Sequence, residues 1–340
     1  MAKIGFMINT EYHLILTCSI MQRYVALGDS IFIYRVSPVD GKRLNNLNLN
    51  DQSVKYIEII YNYSKPTKEV KRQINSIINE RFDRFFLFLE NKFWLNFLFK
   101  GLKKNNTIIS LAPDGMNAYE NYCYPFKKRA FNFLRGLYHC FRIGSLSLPY
   151  VEKDFAASKY IDEVWVENPS FFRNNNRKKV VRFQVDYNEN FLKQLNGVFR
   201  YNPSENIIES GSILYIDSSY DNPEYYERIV NILKRLRSCD ATKRIYIKLH
   251  QLSNTERAMR YYNQLDNVVF LTSHYPAELF IANTSHCTVL SLISTSMLIY
   301  NPTDMYFWIY PLFSDMYNYE KLVNPTDYIT VVTELNQLEK

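Results

Sequence analysis

Short apolar runs alternate along this chain with longer stretches in which apolar residues recur every three or four positions. That alternation predicts strands and helices in turn, an α/β fold with mostly parallel sheets. Ile4–Ile8 is an apolar run of strand length, and Tyr12–Leu27 carries apolar residues at helical spacing. Ser30–Tyr34 and Val54–Ile60 read as the next two strands, followed by a helix over about Lys68–Glu80 and strands at Arg84–Leu89, Thr107–Leu111 and Glu163–Val166. A second cycle begins near Ile213. Strands are expected at Ile213–Ile216, Arg244–Leu249, Val268–Leu271 and Cys287–Leu290, with helices at Pro223–Leu236, Ala277–Ile281 and from Ser296 to Tyr300. The polar stretch Phe199–Gly211 has turn formers and no periodicity, so it is expected to link residues 1–205 to residues 206–340. The pattern therefore predicts two doubly wound, Rossmann-like halves facing each other across a cleft.

Composition narrows the class. With 340 residues, of which 47% are hydrophobic and 22% charged, the chain can bury a core large enough to split in two. Nine glycines, twelve prolines and the lack of any repeat or low-complexity tract exclude a fibrous or disordered chain. Cys18, Cys123, Cys140, Cys239 and Cys287 form no C-x-x-C pair and read as reduced, buried thiols of a cytosolic protein. The opening residues lack the features of a signal peptide. The most apolar run, Phe85–Phe99, is interrupted by Glu90, Asn91 and Lys92, so no membrane span is expected. A net charge of +7 suits nucleic acid, an anionic membrane surface or an anionic substrate. No zinc-finger spacing, RNP signature or helix-turn-helix pattern supports the first of these.

Ligands of open parallel sheets sit beyond the carboxyl ends of the strands, so polar residues there are the candidates. They are Asn9-Thr10-Glu11-Tyr12-His13, Asp114-Gly115, Asp217-Ser218-Ser219, Lys248 with His250, and Ser291 with Ser294-Thr295-Ser296. Asp114 could act as a general base, or it could be an ordinary Asp-Gly turn, which is common. His250 could donate a hydrogen bond or proton to a leaving phosphate, or merely end a loop. The hydroxyls of Ser294, Thr295, Ser296 and Ser218 could bind phosphate or cap a helix. Dinucleotide, Walker A, serine-hydrolase and zinc-protease signatures are absent, and so is any Asp-x-Asp pair.

Taken in this order, the motifs resemble those of the bacterial sialyltransferases of glycosyltransferase families 52 and 38, the latter being polysialyltransferases. A related arrangement occurs in family 80. Pro113-Asp114-Gly115 is similar to the D/E-D-G motif, Lys248-Leu249-His250-Gln251 to the His-Pro motif, and Ser294-Thr295 to the Ser-Ser/Thr motif. The opening FMINTEYHLIL resembles the first strand and its polar turn, and Pro276-Ala277-Glu278-Leu279 the short acidic helix between the last two motifs. Pro113 stands in place of the first acidic residue, and Gln251 in place of the proline.

The resemblance implies a GT-B fold and an inverting sialyltransferase, with an acceptor-side first half and a CMP-sugar-binding second half. Sialic acid, or a related nonulosonic acid, would pass from its CMP donor to a glycan hydroxyl, galactose-terminated, in bacterial surface polysaccharide synthesis (O-antigen, capsule or lipooligosaccharide). A donor with one phosphate requires no metal, and no other cofactor is implied. Asp114 would deprotonate the acceptor, and His250 would stabilise or protonate the phosphate. Ser294 and Thr295 would hold that phosphate at a helix N-terminus, and Ser218, Glu278 and Lys248 would contact the nucleotide. Two other readings stay open: a GT-B transferase with a different nucleotide sugar, and a non-catalytic glycan- or nucleotide-binding protein of the same fold.

Tyr124–Arg142 mixes five basic with six aromatic residues. Such a segment can lie on an anionic membrane surface, next to a lipid-linked acceptor. It can equally be a helix that packs its aromatics into the core with Lys and Arg solvated. The expected location is cytoplasmic, in the first case peripheral on the inner face of the bacterial inner membrane. Nothing in the pattern excludes an oligomer.

Overall fold

The computed structural model describes residues 1–38, 54–61, 66–90, 92–119, 125–173, 176–238, 242–250, 253–272, 274–316 and 322–339. Cys123, Cys239, Asn91, Tyr124 and Gln251 lie outside them. The chain forms two compact units, Met1–Asp186 and Tyr187–Lys340.

Unit 1 runs β1 (Lys3–Ile8), α1 (Glu11–Val25), β2 (Ser30–Pro38), β3 (Val54–Tyr61), α2 (Lys68–Asn79), β4 (Arg84–Leu87), α3 (Leu95–Lys104), β5 (Ile108–Leu111), α4 (Phe126–Arg142), β6 (Glu163–Val166) and β7 (Lys179–Arg182). Among the described residues the strands form one parallel sheet in the order β3-β2-β1-β4-β5-β6-β7. The chain winds outward from β1 to β3, then returns to lay β4 on the other side of β1, with Ile4 opposite Arg84 and Met7 opposite Leu87. The carboxyl ends of β1 and β4 are therefore the topological switch point, where such sheets bind ligands. Helix α1 starts where Thr10 accepts a hydrogen bond from the His13 backbone N–H. Its Leu14, Ile15, Leu16, Cys18, Ile20 and Met21 are all buried, as in a helix apolar on most of its faces. Helices α2 and α3 set Val70, Ile74, Ile77, Leu95, Leu98, Phe99 and Leu102 into one core with Phe82, Phe85 and Leu87. Each contributes about 1.5–3 kcal/mol by leaving water. The described residues of the run Phe85–Phe99 are thus the end of a buried strand, a turn at Phe93–Trp94 and the first half of a helix. Among the described residues, no helix is long and apolar enough to cross a membrane.

Unit 2 runs α5 (Glu189–Phe199), β8 (Ile213–Ile216), α6 (Pro223–Ser238), β9 (Ile245–Lys248), α7 (Thr255–Tyr262), β10 (Val268–Phe270), α8 (Ala277–Ala282), β11 (Thr288–Ser291), β12 (Met305–Trp308) and β13 (Ile329–Val331). Its described strands are again parallel, in the order β10-β9-β8-β11-β12-β13, and the winding reverses between β8 and β11.

Two details differ from the sequence expectation. The stretch Phe199–Gly211 lies inside unit 2, because Tyr201 is buried there edge-on to Phe280 and Tyr275, at ring-centroid distances of 5.5 and 5.0 Å. The helix expected from Ser296 to Tyr300 is a single 3-10 turn, Thr295–Leu298, and Ile299 is already extended. Pro302 disfavours helical backbone at Asn301. Asn301 is held instead by a bond from its side-chain amide to the Thr284 carbonyl, 2.6 Å. The site there is a short turn without the dipole of a full helix.

Candidate functional site

At the switch point of unit 1, α1 and the loop after β5 bring two distant residues together. His13 Nε2 lies 2.7 Å from Asp114 Oδ1. The Asn9 backbone N–H points at His13 Nδ1 from 3.1 Å. A backbone N–H can only donate, so Nδ1 accepts, and the imidazole proton sits on Nε2, from which it donates to the carboxylate. The ring is fully buried and stacks on Phe88, just beyond β4, at 4.9 Å and 15°. Asp114 keeps 28% of its side chain exposed, so a carboxylate anchored through one oxygen still reaches solvent. Its neighbour Gly115 explains the Asp-Gly pair. With φ at 66° the chain enters the left-handed region, which costs glycine nothing, and turns into the 3-10 segment Gly115–Ala118.

Two further ionisable groups feel Asp114. Burial pushes the Lys92 ammonium down to about 8, and the Asp114 charge opposes that shift. Burial pushes Glu152 up to about 7, reinforced by Asp154 and Asp114 and opposed by Lys128. Asp114 thus sits among an imidazole N–H, a buried lysine and a second carboxyl group, a cluster able to hold and move protons near neutral pH. Sequence reasoning gave Asp114 a role and counted His13 among the polar residues after the first strand without assigning it one; it did not find Lys92 or Glu152. Lys92 left a trace, as a cation inside an otherwise apolar run, and it served only to argue against a membrane span.

In unit 2 the candidates cluster at the β8/β11 reversal. Lys248 on β9 is in register with Ile216 on β8, and Ile216 with Ser291 on β11, so these strand ends lie side by side. Just beyond β8, buried Asp217 accepts bonds from the Tyr262 and Tyr225 hydroxyls at 2.8 and 3.2 Å and from Ser253 Oγ at 3.1 Å. Burial nevertheless pushes it up to about 6. Ser253 ties the neighbouring loops: its hydroxyl reaches the Ser218 carbonyl at 3.2 Å, and its N–H donates to the His250 carbonyl at 3.0 Å. Asp217, Ser218 and His250 therefore belong to one network, with Ser218 buried and His250 exposed.

A second network joins the remaining candidates. Ser294 caps the 3-10 turn by accepting from the Ser296 N–H at 3.3 Å, and Ser296 Oγ donates to buried Glu278 Oε1 at 2.9 Å. Ser294 and Thr295 are half-buried. Ser291, fully buried, has a hydroxyl with no hydrogen-bond partner among the described residues. Lys248 reaches the Leu271 carbonyl at 3.5 Å and lies 5.4 Å from the Phe280 ring centre. The structure thus joins Ser218 to His250 through Ser253, and Glu278 to the Ser294 turn. Lys248 instead approaches the Leu271 carbonyl and the Phe280 ring.

Among solved structures, the chain is similar to the GT-B domain (residues 113–497) of a sialyltransferase from Photobacterium damselae, with TM-score 0.51, 8% identity, and coverage of 90% of this chain and 91% of that one. It is also similar to the UDP complex of Staphylococcus aureus MnaA (TM-score 0.49, 14% identity, 87% of this chain and 75% of that one). A third is Acinetobacter baumannii MurG (TM-score 0.46, 11% identity, 100% of this chain and 89% of that one). At such identities the likeness is one of fold, and the fold is GT-B. No curated protein matches the sequence. Residues 36–303 match the family described as Alpha-2,8-polysialyltransferase (POLYST). That span takes in Asp114, His250 and Ser294–Ser296, and the chain belongs to the alpha-2,8-polysialyltransferase family.

Proposed function

We propose that the protein is an inverting, metal-independent sialyltransferase. It transfers sialic acid, or a close nonulosonic acid, from a CMP donor to a glycan acceptor in bacterial surface polysaccharide synthesis. The observation that carries the reading is the anchored, solvent-reaching carboxylate of Asp114, with one oxygen held by the His13 N–H at the switch point of unit 1. That is the arrangement of a general base whose free oxygen accepts a proton. The acceptor hydroxyl gives its proton to Asp114 as its oxygen bonds to the anomeric carbon. The bond from that carbon to the phosphate oxygen breaks on the opposite face, and CMP leaves with the electron pair, so the configuration inverts. Positioning and electrostatics stabilise the oxocarbenium-like centre between these events.

Unit 2 supplies the donor contacts. His250 donates a hydrogen bond to the leaving phosphate, Ser294 and Thr295 offer hydroxyl and N–H groups to it, and Ser218, Glu278 and Lys248 line the nucleotide side. CMP carries a single phosphate, so Ser and His donors replace the metal that a diphosphate leaving group calls for. The family description favours a sialic-acid-terminated acceptor beside the galactose-terminated one.

The test is release of CMP from CMP-N-acetylneuraminic acid with EDTA present, using galactose-terminated and oligosialic acceptors in separate reactions. Acceptor-dependent release that vanishes in Asp114→Ala is the expected result. A folded protein that neither releases CMP nor gains thermal stability from it would sink the sialyltransferase reading and point to another nucleotide.

A further inference from the structure

Helix α4 is used by none of this chemistry, and its surface is unlike the rest of the protein. Nine of the seventeen exposed large hydrophobic residues among the described ones fall between Phe126 and Leu148, which is a patch and not scatter. Phe126, Phe131, Leu134 and Phe141 are 76%, 65%, 66% and 81% exposed, and Leu146 and Leu148 continue the patch past the helix end. The aromatics do not enter the core. Only Gly136, His139 and Cys140 of α4 are buried.

That narrow seam holds the helix firmly. His139 Nδ1 lies 2.9 Å from the Tyr61 hydroxyl, and its ring packs edge-on to Phe93 at 5.0 Å. At Gly136 any Cβ would come within 2.5 Å of Pro149 and 2.8 Å of Phe93, so only glycine permits this approach. The opposite face is therefore presented on a fixed support.

The sectors of that face have an order. At about 100° per residue, Phe126, Ala130, Phe133, Leu134, Leu137 and Phe141 fall within roughly 100° of arc. Beyond them, recurring every seventh position, Lys128, Arg135 and Arg142 form a cationic stripe between the apolar band and the buried seam. Phe126–Arg142 contains five Lys or Arg and no Asp or Glu. An apolar band edged by cations matches the level where acyl chains meet anionic headgroups. A second copy of the helix would bring like-charged stripes together.

We propose that α4 docks unit 1 onto an anionic phospholipid surface. The helix lies in the interface plane, its apolar band sinks below the headgroups, and Lys128, Arg135 and Arg142 meet the lipid phosphates. The loop that carries Asp114 precedes this helix in the chain, and Lys128 and Asp114 both act electrostatically on Glu152. Docking therefore holds the Asp114 cluster close to the membrane. The inference rests on the shape and charge of α4 and stands whether or not the sialyltransferase reading does.

Sedimentation of the full chain with phosphatidylcholine vesicles, with and without phosphatidylglycerol, tests it. Binding is expected only with the anionic lipid and should weaken as salt is raised. Lys128→Glu/Arg135→Glu/Arg142→Glu should lower the affinity by at least roughly a hundredfold, given the surface attraction per basic residue lost and the repulsion added. Leu134→Ser/Phe141→Ser should abolish binding even at low salt, with both variants melting like the parent. Equal binding of parent and charge-reversal variant would overturn the proposal. So would a dimer, dissolved by Leu134→Ser/Phe141→Ser, that ignores vesicles, because the face would then belong to a second copy.

Discussion

If His13 works by holding Asp114, removing its ring nitrogens should slow turnover without touching the donor. His13→Phe is the suitable change, because it keeps an aromatic ring against Phe88, where the native ring stacks at 4.9 Å. Two bonds are lost: the 2.7 Å contact to Asp114 and the 3.1 Å contact from the Asn9 N–H. A hydrogen bond to a charged group contributes about 1.5–3 kcal/mol. At about 1.36 kcal/mol per tenfold in rate, the loss of kcat should be roughly 10- to 150-fold. The donor KM should stay near the parent value, since no donor contact is assigned to His13. The Asn9 N–H, left without its acceptor, costs a further ~1–3 kcal/mol of stability and should lower Tm by a few degrees. Asp114→Asn removes the base outright and should cost on the order of 10² to 10⁴ in kcat. The decisive variant is the double one. If His13 acts only through Asp114, His13→Phe/Asp114→Asn should be no slower than Asp114→Asn alone. Steady-state kinetics of the three variants give the cycle, and losses that multiply would refute the reasoning.

Two more outcomes follow from the geometry. Buried Glu90 accepts bonds from the Tyr150 hydroxyl at 2.5 Å and the Ala156 N–H at 2.7 Å, yet burial pushes it up to about 8 from 4.5. The folded state thus keeps a proton that the unfolded chain has released, so this stabilisation is complete below pH ~4.5 and is lost as pH rises towards 8. Glu90→Gln should remove that slope, on the order of a few kcal/mol across the window, and an identical gap from the parent in denaturation at pH 5 and pH 8 would disprove it. Ser294→Ala should raise the donor KM by about 10- to 100-fold through the lost phosphate contact. A donor titration that leaves KM unchanged would remove Ser294 from the site.

The strands were legible because a parallel strand buried on both faces is a bare apolar run. Glu163–Val166 and Ile213–Ile216 emerge at the very residues expected, and Lys3–Ile8 and Ile108–Leu111 within one. Of the four edge strands, Val54–Tyr61 and Val268–Phe270 were legible and the other two were not. Lys179–Arg182 has two apolar residues between two exposed cations, and Ile329–Val331 is only three residues long. Asp114 could be found because a carboxylate before glycine at a strand end is a local signal. His13 stood among the polar residues after the first strand, but its role was not legible, because its partner lies 101 positions away, and a histidine within an apolar helix looks the same whether it fills the core or holds a base.

Helix α4 marks the same boundary between pattern and packing. Its spacing of aromatic and basic residues fits a core-facing helix and a membrane-facing one equally, because periodicity fixes which residues share a face but not what that face meets. What separates the two is a pair of small positions. Gly136 and Cys140, one turn apart, form with His139 a seam too narrow to bury the rings on either side of it. A larger residue at 136 would strike Pro149 and Phe93 and push the helix away from them. The glycine that looks like a helix-weakening choice is therefore what fixes the helix in place, and fixing it by so slender a contact is what leaves its aromatic face outward.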